Sequence, residues 1–171
     1  MPDKATDSDG AAGDGAAARR IERVVLDRQM TVRYSPAVEH ELRVALFDLA
    51  EDNRFDLGDG LPGPYVLHLT IEDNRLIFDV RDGDGGELTR FGLSLSPFRS
   101  VIRDYFTICD SYYAAIKSAR PAQIEAIDMG RRGLHNEGAA LLRDRLAGRA
   151  AVDEDTARRL FTLLCILHIR G

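Results

Sequence analysis

The stretch PAQIEAIDMGRRGLHNEGAALLRDRL, residues 121–146, combines the apolar spacing of a buried helix with a dense group of glycines and chemically capable side chains. Ile127, Leu134 and Leu141 recur every seven residues, which is the spacing of one stripe along a helix. We therefore predict a helix whose back lies in the core.

Three glycines interrupt this helical pattern, at positions 130, 133 and 138. Each costs a helix interior about 1 kcal/mol relative to alanine, so the chain either breaks there or gains something from bare backbone. The gain is close packing of another element or access for a ligand. If the helix breaks at Gly133, the N–H groups that follow form a positive helix start near two arginines, which suits an anion.

Six polar side chains lie within residues 128–137 of this stretch: Asp128, Arg131, Arg132, His135, Asn136 and Glu137. The first four fall on one helix face beside the apolar stripe. We favour a structural role, because buried helix crossings use such groups to satisfy one another. The alternative is a small enzyme or anion-binding domain. In it Arg131, Arg132 and Asn136 hold a phosphate or carboxylate, and His135 and Glu137 are catalytic.

Upstream, short segments with alternating apolar residues predict a sheet. IERVVLD (21–27) and MTVRY (30–34) have the composition of a two-stranded hairpin. Residues 65–94 contain three further strand patterns, the first two joined by a tight turn at Asp73-Asn74. These patterns predict an antiparallel sheet made of a hairpin and a three-stranded meander.

Helix signals separate and follow the strands. Ser35-Pro36 and Ser96-Pro97 are good helix starts, Pro121 begins the stretch quoted above, and Asp153 begins a last helix. The resulting fold class is α+β, with about four helices covering the sheet and the last three consecutive. The run LFTLLCILHI (160–169) is apolar nearly all round, so either the chain's own elements or a second subunit surround it. The second option makes the protein a homodimer.

Composition places the chain among globular proteins. Its 171 residues suit a single α+β domain over residues 20–171. The Ala-, Gly- and Asp-rich residues 1–19 have no apolar segment, so we predict a disordered tail and neither a signal peptide nor a membrane anchor. The formal charge of −5 without a basic patch argues against nucleic-acid binding. We also expect no membrane association and a cytoplasmic location.

Several classes of functional site have no signature in this sequence. Cys109 and Cys165 lie in apolar helical runs, as buried small side chains do, and the four histidines lack metal-ligand companions. There is no phosphate loop, nucleophile elbow or zinc motif, so we predict neither a metal nor a cofactor. A non-enzymatic interaction or regulatory domain, with a protein partner or self-association, is therefore the favoured function.

Four long segments carry a resemblance to a known family: IEDNRLIFDVRD, SPFRSVIRDYFTICDSYYAAI, IEAIDMGRRGLHNEGAALL and DTARRLFTLLCILH. By these residues the chain resembles uncharacterised protein family 0262 of alphaproteobacteria. The resemblance covers roughly residues 20–168, and the tail before it departs from the family pattern. It implies a bacterial cytoplasmic protein and brings no activity, substrate or catalytic residue.

Overall fold

The computed structural model describes residues 15, 18–27, 35–58 and 60–169. Its strands are β1 (Ile21–Leu26), β2 (Phe55–Asp56), β3 (Tyr65–Glu72), β4 (Arg75–Arg81), β5 (Glu87–Ser94) and β6 (Ala151–Val152). Its helices are α1 (Pro36–Glu51), α2 (Arg99–Ser118), α3 (Pro121–Leu146) and α4 (Glu154–His168). The α+β class is confirmed, with the last three helices consecutive in the chain.

The main sheet has the order β1-β3-β4-β5. Strands β3, β4 and β5 form the predicted antiparallel meander. Its first turn places Asp73 at φ 49° and Asn74 at φ 60°, the left-handed backbone of a tight hairpin turn. A second, two-stranded sheet pairs β2 with β6.

Strand β1 corrects the prediction of an antiparallel sheet, because it pairs with β3 in parallel and makes the sheet mixed. The physical reason is the connection: α1 lies between the two strands and returns the chain to the end at which β1 began. The second strand of the predicted hairpin, 30–34, lies outside the described residues. So does most of the predicted tail over residues 1–19.

The helices cover one face of the main sheet. Along β3, Leu67 and Leu69 point into the core and are almost fully buried, whereas His68 between them is half-buried on the other face. The buried side chains of sheet and helices belong to one hydrophobic cluster. This arrangement favours the prediction of a single domain.

Helix α4 lies at the centre of the helical layer. Asp153 caps its first turn by accepting a hydrogen bond from the Thr156 backbone N–H. Nine of its residues are buried: Thr156, Ala157, Leu160, Phe161, Thr162, Leu163, Leu164, Cys165 and Ile166. Helices α1 and α3 pack along it. The chain's own elements therefore suffice to surround this apolar helix, and a second subunit is not required to cover it.

Helices α2 and α3 form an antiparallel pair joined at Ala119-Arg120. Helix α3 runs unbroken through its three glycines, so no new helix start forms at Gly133. The predicted stripe at Ile127, Leu134 and Leu141 is only half-buried. The fully buried residues of α3 are Gly138, Ala139, Leu142 and Leu146.

Candidate functional site

Two of the three α3 glycines allow another element to pack closely. A Cβ built at Gly138 would overlap the ring of Phe161 on α4, and one at Gly130 would lie 2.7 Å from Ile108 Cδ1 on α2. Nothing lies within 4 Å of the corresponding position at Gly133. Close packing thus accounts for Gly138 and Gly130, and neither packing nor a helix break accounts for Gly133.

His135 faces α4. Its Nε2 lies 3.0 Å from the Arg158 carbonyl oxygen and 3.0 Å from Thr162 Oγ1. Because a carbonyl oxygen only accepts hydrogen bonds, this contact places the proton of the neutral imidazole on Nε2. The Thr162 hydroxyl in turn donates to the same carbonyl at 3.2 Å. The histidine is thereby tied to the backbone of the central helix.

Aromatic rings enclose the same imidazole. Tyr105 of α2 stacks on it at a centroid distance of 5.5 Å, and Phe161 of α4 approaches at 5.8 Å. This burial lowers the pKa of His135 to about 4, with the positive charges of Arg158 and Arg131 acting in the same direction. Such a histidine is neutral near pH 7 and is a weak base. Its pKa is therefore too low for efficient acid–base catalysis at that pH.

Arg131 and Arg132 both bind Asp128. Arg131 donates to Asp128 Oδ1 from Nε at 3.1 Å and from Nη2 at 2.6 Å, while Arg132 Nη2 lies 2.9 Å from Oδ2. The Arg131 guanidinium also lies 4.7 Å from the centre of the Tyr112 ring on α2. These hydrogen bonds lower the pKa of the Asp128 carboxyl, those from Arg131 most. Both arginines therefore already have a carboxylate partner.

Asn136 and Glu137 lie apart from this cluster. Both are exposed, and Asn136 borders a groove of about 400 Å³ between α3 and α4, together with Arg143 and Glu154. The residues described around that groove include neither Arg131 nor His135. The structure thus brings Asp128, Arg131 and Arg132 together, and among the described residues no hydrogen bond or ion pair joins Asn136 or Glu137 to them. Their catalytic and ligand-binding roles stay predictions.

The partners of His135 were not found by sequence reasoning. Arg158 and Thr162 follow it by 23 and 27 residues, and no local pattern links them. One signal was present, since Thr162 is a polar side chain within an otherwise apolar helical run. A buried hydroxyl requires a partner, and Thr162 has two, the Arg158 carbonyl of its own helix and His135 of α3.

Two features of the described residues bear on other functional classes. Within the described residues, no group of three or more His, Cys, Asp or Glu side chains is placed to hold a metal ion. Among the helices that the structure describes, none has both the length and the hydropathy of a membrane-spanning segment.

Comparisons with known proteins agree on one family. The family model described as Uncharacterised protein family (UPF0262) matches residues 18–170. A UPF0262 protein of Rhodospirillum rubrum is 60% identical over 148 residues, 86% of this chain and 91% of its own length. Another, of Paramagnetospirillum magneticum, is 55% identical over 153 residues, 90% of this chain and 98% of its own. No solved structure matches the chain.

Proposed function

This chain belongs to Uncharacterised protein family UPF0262, as its resemblance predicted, and we propose that it is a non-enzymatic interaction protein of the bacterial cytoplasm. Under this proposal its helical side binds a protein partner. A second copy of the chain is the first partner to test.

The location of the exposed apolar side chains carries the proposal. The large apolar residues with the greatest exposure in the described part of the chain are Val44, Phe47, Tyr113, Ile116 and Met129. All five belong to α1, α2 or α3, and none to a strand. Phe47 is 64% exposed and Met129 is 66% exposed. Exposed apolar groups that adjoin one another mark interaction sites more often than single ones do.

Four of these residues lie on α1 and α2 near a hydrogen bond that joins the two helices. The Tyr113 hydroxyl donates to Glu41 Oε1 at 3.5 Å, which brings the two helices together there. Val44 and Phe47 follow Glu41 along α1 by about one and two turns, and Ile116 follows Tyr113 by one turn of α2. Each apolar side chain therefore lies within about two helical turns of the Tyr113–Glu41 contact.

The alternative, a small enzyme or anion-binding domain, has less support from the contacts. Arg131 and Arg132 are already bound to Asp128, and His135 is enclosed by aromatic rings and bound to α4. The Asp128 carboxylate already neutralises part of the positive charge that would attract an anion. This occupancy favours an interaction role for the protein over a catalytic one.

The proposal is tested by placing a photo-crosslinking amino acid at position 47 and, separately, at position 129. Position 84, in the exposed turn between β4 and β5, is the matched control. Crosslinking is carried out in the source bacterium, and the products are identified by mass spectrometry. Sedimentation velocity of the purified chain at micromolar concentrations measures self-association independently.

We expect a discrete crosslinked product at position 47 or 129 that is absent at position 84. If that product is a second copy, the purified chain sediments as a dimer and Phe47→Glu converts it to a monomer. A monomeric chain without a site-specific product would overturn the proposal. Cell fractionation checks the location, and recovery outside the cytoplasmic fraction would contradict it.

A further inference from the structure

A cavity of about 120 Å³ lies between α1, α2 and the end of α4. Val38, Phe106 and Ile166, one from each helix, form an apolar wall, and Cys109 and Cys165 complete it. The cavity is open to solvent at one end, so a small molecule can enter it.

The interior of the cavity offers a ligand no ionised group. Burial raises the pKa of the Tyr105 hydroxyl well above its ordinary value, so this group is neutral near pH 7. Burial raises the pKa of the Cys109 thiol and that of the Cys165 thiol, which keeps both neutral near pH 7. The enclosed part of the cavity consequently suits an apolar group.

The open end has a different character. Glu41 is half-buried, Asp110 is exposed, and both carboxylates line the cavity. No lysine or arginine is among the described residues that line it. The nearby Arg131 is bound to Asp128 through two nitrogens. Among the described residues, an occupant therefore meets apolar walls inside and two carboxylates at the opening, of which Glu41 also accepts a hydrogen bond from Tyr113.

We propose that this cavity is a binding site for a primary amine that carries a short alkyl chain. Apolar cavities of roughly 150 Å³ accept a molecule the size of benzene, so a chain of about four carbons fits this one. The alkyl group lies among the side chains of the three helices, and the ammonium group lies between Glu41 and Asp110. Butylamine is the probe, with butan-1-ol as its neutral counterpart and butanoate as its anionic counterpart.

The experiment is a titration of the full chain with each probe, followed by protein-observed NMR. We expect saturable shifts for butylamine that are confined to residues around the cavity, including the methyl groups of Val38 and Ile166. One exposed ion pair strengthens binding about fivefold at most, so butylamine should bind a few times more tightly than butan-1-ol. Butanoate should bind most weakly.

Two kinds of variant test the interior of the cavity and its opening independently. Cys109→Leu and Val38→Phe each fill the cavity from a different wall and should abolish saturable binding while the circular dichroism spectrum stays native. Glu41→Gln should reduce butylamine binding to the level of butan-1-ol, and Glu51→Gln on the same helix should change neither.

Any one of four results would overturn the proposal. Two concern the shifts with butylamine, which would be either not saturable or located away from the three helices. The other two are equal binding of butylamine and butanoate, and unchanged binding in a folded cavity-filling variant. None of these results depends on a protein partner. They therefore do not test the interaction role proposed above.

Discussion

The two parts of helix α3 are held in different ways. From Pro121 to Glu137 no residue is buried, whereas four are buried between Gly138 and Leu146. Leu142 and Leu146 are 0% exposed, while Met129 is 66% exposed. The same continuous helix thus has an outer part beside α2 and an inner part in the core.

This difference explains where the polar residues lie. In the outer part, Asp128 binds Arg131 and Arg132, which lie one turn away on the same helix, so these contacts are local. At the boundary, His135 reaches α4 through Arg158 and Thr162. The inner part has small residues and leucines that pack against the central helix. The contacts of this helix thus change along its length, from ion pairs within the helix to packing against another helix.

The largest expected effect follows from truncating the inner part. Leu142→Ala removes a fully buried side chain and should lower the free energy of unfolding by about 2–5 kcal/mol. The matched change in the outer part, Met129→Ala, should stay within about 0.5 kcal/mol because the side chain is mostly in water. Urea unfolding of both variants measures the difference. Equal losses would show that the two parts are not distinct.

The second expected effect is a loss of stability at low pH that originates at His135, the residue at the boundary between the two parts of α3. The pKa of His135 is about 4 in the folded protein, against 6.5 for an ordinary histidine. As the pH falls from 6.5 to 4, the unfolded chain binds a proton at this residue and the folded protein does not. Stability is therefore lost across this window, by about 2–3 kcal/mol, and the loss ends below pH 4.

His135→Gln is the test of this assignment. The variant cannot titrate at this position, so its urea midpoint should decline less than that of the wild type between pH 7 and pH 4.5. The pKa values of the Asp128 and Asp79 carboxyls are lowered. These groups therefore change the stability at more acidic pH and do not interfere with the comparison of the two proteins. Parallel declines in the two proteins would rule out His135 as the origin.

Sequence reasoning succeeded where the determining interactions are local. The Ser35 cap, whose Oγ accepts from the Val38 N–H at 3.3 Å, and the Asp73-Asn74 turn are set by neighbours in the chain. The elements they bound were predicted from residue type and spacing. Family membership followed from long matching segments, which require no structure.

The failures have a common physical origin in contacts between distant parts of the chain. Strand β1 pairs with β3, so Val24 aligns with Leu67, and nothing in residues 21–26 specifies that partner or its direction. The spacing of Ile127 and Leu134 predicted burial, but burial also depends on how many elements surround that stretch. Sequence periodicity identifies a helix face without showing what covers it.

A third prediction compares two glycines of α3. Gly138→Ala places a Cβ against the Phe161 ring, which is 0% exposed, and overpacking of this kind destabilises by about 1–3 kcal/mol. Gly133→Ala meets open space and should stabilise the protein by about 0.5–1 kcal/mol through helix propensity. Thermal unfolding midpoints should therefore move in opposite directions. A lower midpoint for Gly133→Ala would mean that bare backbone at this position serves a purpose beyond packing.

The smallest expected effect is a difference in unfolding free energy between alanine variants of the two arginines in the outer part. The Arg131 side chain is 25% exposed and also contacts Tyr112, so Arg131→Ala should lower the free energy of unfolding by about 1 kcal/mol. The Arg132 side chain is 69% exposed, and Arg132→Ala should change it by less than about 0.5 kcal/mol. Urea unfolding at low and high salt measures both. If the two losses are equal and both disappear at high salt, the Asp128 ion pairs alone hold the outer part, and the contact of Arg131 with α2 contributes nothing.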